Sequence, residues 1–167
     1  MIMSELREIR AQAGGNGESR TEMFLGREHF VVPVIALQEG VLQGANASNP
    51  EYVPCDAIQK NTVQWNGRPI VQNHPQIQGV YVSANSPAIM EEWAYGFVSG
   101  AHYSDGKLKC EAWIDIQRAK DLGGDAEETL TRLQNNELVE VSTGLYCDIR
   151  PQSGTWNGRN YTGQWEN

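Results

Sequence analysis

Lys107-Leu108-Lys109-Cys110-Glu111-Ala112-Trp113-Ile114-Asp115-Ile116 is the stretch on which the fold turns. Leu108, Cys110, Ala112, Ile114 and Ile116 alternate with Lys109, Glu111 and Asp115, and Trp113 is the exception on the polar side. A period of two is that of a strand with one face in a core and the other toward water. Working back, Ser104-Asp105-Gly106 is turn-forming and joins this strand to a second one over 96–103, which makes a hairpin. Working forward, the period changes. Ala126, Leu130 and Leu133 recur at helical spacing, and Asp125, Glu127 and Glu128 fall in a first turn that suits the positive end of a helix dipole. Gly123-Gly124 separates this helix from an earlier turn. Alternation returns over 138–149, where Val139, Val141, Thr143, Leu145, Cys147 and Ile149 share a face and Ser142 lies opposite with Glu140 and Gly144.

The rest of the chain is read by the same rules. Residues 30–37 carry the β-branched run Val31-Val32-Pro33-Val34-Ile35, which Pro33 assigns to a sheet edge or a bulge. Residues 38–54 read as a long loop and 54–60 as a short helix. Trp65-Asn66-Gly67-Arg68 and Trp156-Asn157-Gly158-Arg159 carry the Asn-Gly signature of tight turns, the second within a final hairpin. Short strands are expected at 69–71 and 79–83. Near the start, residues 4–12 are compatible with a short helix, and Gly14-Gly15-Asn16-Gly17 has the composition of a flexible connector. The expected organisation is a mobile arm over 1–22 and one domain over 23–167.

Composition narrows the function. A chain of 167 residues, 40% hydrophobic, suffices for one core. Its 21 acidic and 13 scattered basic residues give a net charge of −8, with no basic stripe to neutralise a phosphate backbone, so nucleic acid is not an expected partner. Three widely spaced cysteines, Cys55, Cys110 and Cys147, form no zinc motif and no disulfide framework, and no metal or other cofactor is expected. Cys110 and Cys147 fall on the apolar alternation and read as packing residues. The polar segment 1–20 lacks the apolar run of a secretory signal, and no stretch approaches spanning length, so the expectation is a soluble protein of a reducing cytoplasm with no membrane partner.

Serine catalysis needs a base within hydrogen-bond reach and donors for the oxyanion, none of which need be neighbours in sequence. The Gly-x-Ser-x-Gly elbow, phosphate-binding glycine loops and His-Glu-x-x-His are absent. Ser142 precedes Thr143-Gly144, and a residue without a side chain two positions on leaves room for a substrate backbone. Asn73-His74-Pro75 holds its histidine out of helical geometry, at a strand end or in a loop. On the residues alone, a solvent-facing serine and a loop histidine bonded to nearby backbone are the plainer descriptions. The five tryptophans leave a small-molecule barrel open as a further reading.

The ordered segments Gly26-Arg27-Glu28, Val31-Val32-Pro33-Val34, Trp65-Asn66-Gly67-Arg68-Pro69, Asn73-His74-Pro75, residues 107–113 and Val139-Glu140-Val141-Ser142-Thr143-Gly144 resemble the tailed-phage family of prohead maturation proteases. The likeness is to the branch recorded as an uncharacterised phage domain family, related to herpesvirus assemblin, and it covers residues 24–165. It implies an α+β fold, mostly antiparallel β, with a barrel-like assemblin-type core and one or two flanking helices. It also implies a serine endopeptidase inside the immature capsid, in the host cytoplasm, that cleaves scaffold and major capsid protein and processes its own termini, with homo-oligomers a further expectation. His74 matches the family histidine and Ser142 the family serine, with Thr143 and Gly144 beside the oxyanion or substrate. His29 and His102 match no motif. For the third member, relatives use a segment beyond the serine strand containing an Asp-His pair, which leaves Glu166 as the stand-in, ahead of Asp148 and Asp115. The end at Asn167 reads either as a trimmed chain or as a self-cleavage site. The competing reading is an inactive capsid-assembly or decoration protein that keeps the fold.

Overall fold

The computed structural model describes residues 3–13, 19–44 and 46–166. Its strands are β1 (Met3–Ala13), β2 (Arg20–Phe24), β3 (Arg27–Gln38), β4 (Gly40–Leu42), β5 (Glu51–Val53), β6 (Pro69–Val71), β7 (Gln76–Ile77), β8 (Val80–Tyr81), β9 (Ala94–Ser104), β10 (Lys107–Asp115), β11 (Val139–Trp156) and β12 (Arg159–Trp165). Its helices are α1 (Cys55–Asn61), α2 (Pro87–Trp93), α3 (Ile116–Leu122) and α4 (Gly124–Gln134), with a 3-10 turn at Thr62–Trp65.

Ten strands form one sheet in the order β4-β5-β12-β11-β1-β3-β10-β9-β6, with β2 added beside β3, and the sheet curls into a half-barrel. All its described pairings are antiparallel except β12 with β5. The fold is therefore α+β and mostly antiparallel, as expected, with four short helices rather than one or two. The alternation of 107–116 is borne out in β10, where Leu108, Cys110, Ala112 and Ile114 are buried and the residues between them are half-buried. They meet Phe30, Val32, Val34 and Ala36 of β3, and Ala119, Ala126, Leu130 and Leu133 of α3 and α4 close the layer. Each large aliphatic side chain sealed there contributes about 1.5–3 kcal/mol. Trp113, the exception, stacks on Phe97 at 5.8 Å between ring centroids, on the outer face with His29 and Phe24.

Two local expectations are corrected. Pro33 lies on a central strand, not an edge, between β10 on one side and β1 and β2 on the other. The last β1 pair is Ala13–Val34 and the first β2 pair is Arg20–Val31, so Pro33 stands where the neighbour on that flank changes, and its register partner is Glu111 of β10 on the other flank. Residues 4–12, read as a short helix in an arm, lie in β1, which pairs along its whole length with β11 from Ala13–Val139 to Met3–Ile149. The glycine-rich connector at 14–17 lies outside the described residues. The loop expected over 38–54 contains the short strands β4 and β5, whereas the tight turn expected at Trp65-Asn66-Gly67-Arg68 is present, closed by Arg68 N–H donating to Trp65 O at 3.3 Å with Gly67 at φ of 77°.

Candidate active site

The burial of β11 alternates as its sequence does. Val139 and Cys147 are sealed, Val141, Leu145 and Ile149 pack against the core, and Glu140, Ser142, Gly144 and Tyr146 are exposed. Ser142 is thus held by a strand whose opposite face is fixed in the core, and β1 flanks it with Arg10 as its register partner. A nucleophile on such a strand is aimed without any special turn.

His74 reaches that face from the loop after β6. Three features fix the loop. Gln72 Nε2 donates to the carbonyl of Gly123 at 2.8 Å, and the Gly123-Gly124 junction has φ of 64° and 53°, a left-handed geometry that suits glycine. A Cβ on Gly124 would stand 3.3 Å from that same amide nitrogen, so the junction also has to be slim. Asn73 has φ of 125°, a costly backbone state for a residue with a side chain, directly before His74. Pro75 is buried and its carbonyl accepts from Val82 N–H at 3.0 Å, which ties the loop to the β7–β8 hairpin. From that hairpin the Tyr81 ring meets the His74 ring edge to face, 6.1 Å between centroids and 89° between planes.

Held in this way, His74 Nε2 lies 2.8 Å from Ser142 Oγ. The distance is that of a hydrogen bond between the two groups, and in the tautomer with the ring proton on Nδ1 the unprotonated Nε2 is the acceptor and the Ser142 hydroxyl the donor. The structure therefore brings together the two residues that sequence reading singled out. Thr143 is half-buried and Gly144 exposed, and both belong to the β1–β11 ladder opposite Ile9 and Glu8. Ladder geometry sends the main-chain groups of successive residues to opposite sides, so one of the two N–H groups points to β1 and the other away from it.

Glu166 does not join them. Its Oε1 pairs with Arg150 Nε at 3.3 Å, and its N–H donates to Asp148 O at 2.9 Å. Asp148 is six positions along β11 from Ser142, roughly 20 Å of extended chain. The expectation that Glu166 orients the histidine is thus corrected, because β12 carries it to the other half of the strand. Asp148 lines the same cleft as Glu166, together with Asp56, Lys60 and Arg150. Asp115 is engaged elsewhere, accepting from Arg118 N–H at 2.9 Å at the start of α3 and pairing with Arg27.

The other singled-out groups have local roles. His29 is buried with Nδ1 3.0 Å from Arg27 O, and His102 lies 2.9 Å from Gly100 O. Cys110 and Cys147 are buried, and burial pushes the Cys110 thiol up to about 11. The tryptophans do not share one set of neighbours. Trp165 is buried and donates to Glu51 at 2.8 Å, Trp156 faces Tyr52, and Trp113 stacks on Phe97. Among the described residues no cluster of His, Cys, Asp or Glu fits a metal ion, and no helix is long and apolar enough to cross a membrane. Sequence reading missed the supports of His74, namely Gln72, Asn73, the Gly123-Gly124 junction and Tyr81. Of these, only the diglycine gives a signal in sequence, where it reads as a helix boundary.

No family model and no curated protein matches the sequence. Among solved structures, the chain is similar to the bacteriophage T4 capsid assembly protease, with a TM-score of 0.57 over 96% of this chain and 99% of that one, at 12% identity. Likeness at that identity speaks to architecture, and the agreement runs through nearly the full length of both. The chain has the fold of the bacteriophage T4 capsid assembly protease.

Proposed function

We propose that this protein is a serine endopeptidase of phage capsid maturation, with Ser142 as nucleophile and His74 as its base. The observation that carries the proposal is the 2.8 Å approach of His74 Nε2 to Ser142 Oγ on the exposed face of β11. The likeness to a capsid assembly protease supports the choice of scaffold and coat precursors as substrates, and capsid assembly as the setting. His74 takes the hydroxyl proton as Ser142 Oγ attacks a peptide carbonyl, then returns it to the leaving amine as the C–N bond breaks. The acyl-enzyme is released when His74 deprotonates a water and Ser142 recovers its proton. The N–H of Thr143 or Gly144 that points away from β1 is the donor we place at the oxyanion.

The test is covalent labelling with an alkyl fluorophosphonate, which modifies only an activated serine. Labelling at Ser142 that disappears in His74→Ala is the expected result. A protein in which Ser142 stays unlabelled, and which leaves co-expressed scaffold and coat uncut, would be a non-catalytic capsid-assembly protein on the same fold.

A further inference from the structure

The β7–β8 hairpin stands apart from the main sheet. Its two strands pair only with each other among the described residues. Gln78 and Gly79 at its tip have φ of 52° and 78°, the two positive values of a type I′ turn, which joins strands by two residues. The bond from Val82 N–H to Pro75 O makes 75 and 82 a hydrogen-bonded pair, so 77 and 80 form the next such pair and 76 and 81 fall between them. The main-chain groups of Gln76 and Tyr81 therefore point outward, one on each edge. On the β7 edge the extended run ends within a few residues, at the φ of 125° of Asn73. On the β8 edge stands Tyr81, whose ring touches His74. The hairpin is also apolar where a free-standing element would be polar: Ile77, Val80 and Tyr81 are 56%, 66% and 51% exposed.

We infer that the β8 edge is the docking strand for substrate, where an extended peptide with apolar side chains pairs with the main chain of Tyr81 beside His74. That the peptide is a substrate rests on the catalytic reading of His74 and Ser142; the docking itself does not. Strand addition satisfies the outward N–H and C=O of Tyr81, and alternate side chains of the peptide fall on the Ile77–Val80 face. Tyr81 then joins the two tasks, with its ring against the base and its main chain on the peptide.

The experiment uses the Ser142→Ala chain with a blocked Ser-Val-Ala-Val-Ala-Ser peptide, read by amide hydrogen exchange and by titration. Saturating peptide should slow exchange of the Tyr81 amide by about tenfold or more and leave Gln76 unchanged, and N-methylation of the central alanine should weaken binding by about tenfold. Val80→Asp in the protein should weaken binding similarly. Absence of binding, binding without protection of Tyr81, or equal binding of the N-methylated peptide would overturn the inference. So would a Tyr81 amide whose protection in the free protein rises with protein concentration, since a second copy would then hold the edge. Fluorophosphonate labelling of the unmodified chain separates the two proposals. Labelling without peptide docking removes only this inference, and docking without labelling removes only the catalytic reading.

Discussion

The two halves of β11 are built from one alternating strand and come to opposite ends. From Val139 to Asp148 the outer face carries Glu140, Ser142, Gly144 and Tyr146, with β1 on one flank, and a separate loop brings His74 to Ser142. From Ile149 to Trp156 the partner is β12, and the ionic groups near the boundary engage one another, Arg150 with Glu166 and Lys60 with the Glu166 carbonyl. Both halves carry polar groups that a sequence reader would mark. The difference is in how they are supported. Charged groups supplied by adjacent strands compensate one another and act as structure, whereas a hydroxyl on a rigid strand gains a base only when a remote loop is fixed there at some backbone cost.

The sharpest way to break this comparison is to remove one group from each half. Ser142→Ala and His74→Ala should each lower peptide hydrolysis by roughly 10⁴- to 10⁶-fold, and in the double variant the losses should not add, because the pair acts as a unit. Glu166→Gln should leave the rate within about twofold, since it removes only a partly exposed ion pair with Arg150, away from His74. Rates measured on a peptide spanning a scaffold cleavage site decide it. A loss in Glu166→Gln comparable to that in His74→Ala would erase the distinction between the halves.

A second test acts on the loop's backbone. Valine at Asn73 tolerates a φ of 125° less well than asparagine, so Asn73→Val should shift His74 and lower turnover by about ten- to a hundredfold, with a stability loss of about 1 kcal/mol. Asn73→Gly should retain activity, and comparing kcat with denaturant midpoints separates misplacement from unfolding. In the other half, Trp165→Phe takes the indole N–H from the buried Glu51 carboxylate, a bond of 2.8 Å. Its expected cost is roughly 1–3 kcal/mol by urea titration, with fluorophosphonate labelling unchanged.

Sequence reading recovered what depends on local period. Ser142 could be placed on the polar face of its strand because Val139, Val141 and Cys147 mark the other face, and His74 could be kept out of a helix because Pro75 follows it. What it missed depends on partners far along the chain. Residues 4–12 have no local pattern that names β11 as their neighbour, and Pro33 argues for an edge until it is known that β2 and β1 divide the flank of β3 between them. Glu166 stands late in the chain, where the resemblance places a third member, yet antiparallel pairing of β12 with β11 sets it beside Arg150 and away from Ser142. Tyr81 carried no motif, and its contact with His74 exists only because a two-residue turn folds 80–81 back onto 76–77.

The smallest effect concerns an ion pair on the outer face. Glu111 accepts from Arg20 at 2.7 and 3.1 Å and from Trp113 Nε1 at 3.1 Å. The bond to Arg20, helped by the one to Trp113, holds its carboxyl below the usual range against the opposing pull of partial burial. Because the folded pKa is the lower one, the contribution is complete above the unfolded value of about 4.3 and is lost as pH falls through the folded one. The side chains are 41% and 33% exposed, so screening reduces the gain to at most about 0.5 kcal/mol. Urea midpoints of the intact chain and of Glu111→Gln should therefore converge as pH falls from about 5 to 3, where carboxylates titrate. Equal slopes in the two proteins would mean that the pair adds nothing to folding. Hydrolysis should be unaffected at neutral pH, since Glu111 pairs with Arg20 and Trp113 on the outer face. A change in rate on its removal would tie the outer face to the site and blur the division that the two halves of β11 display.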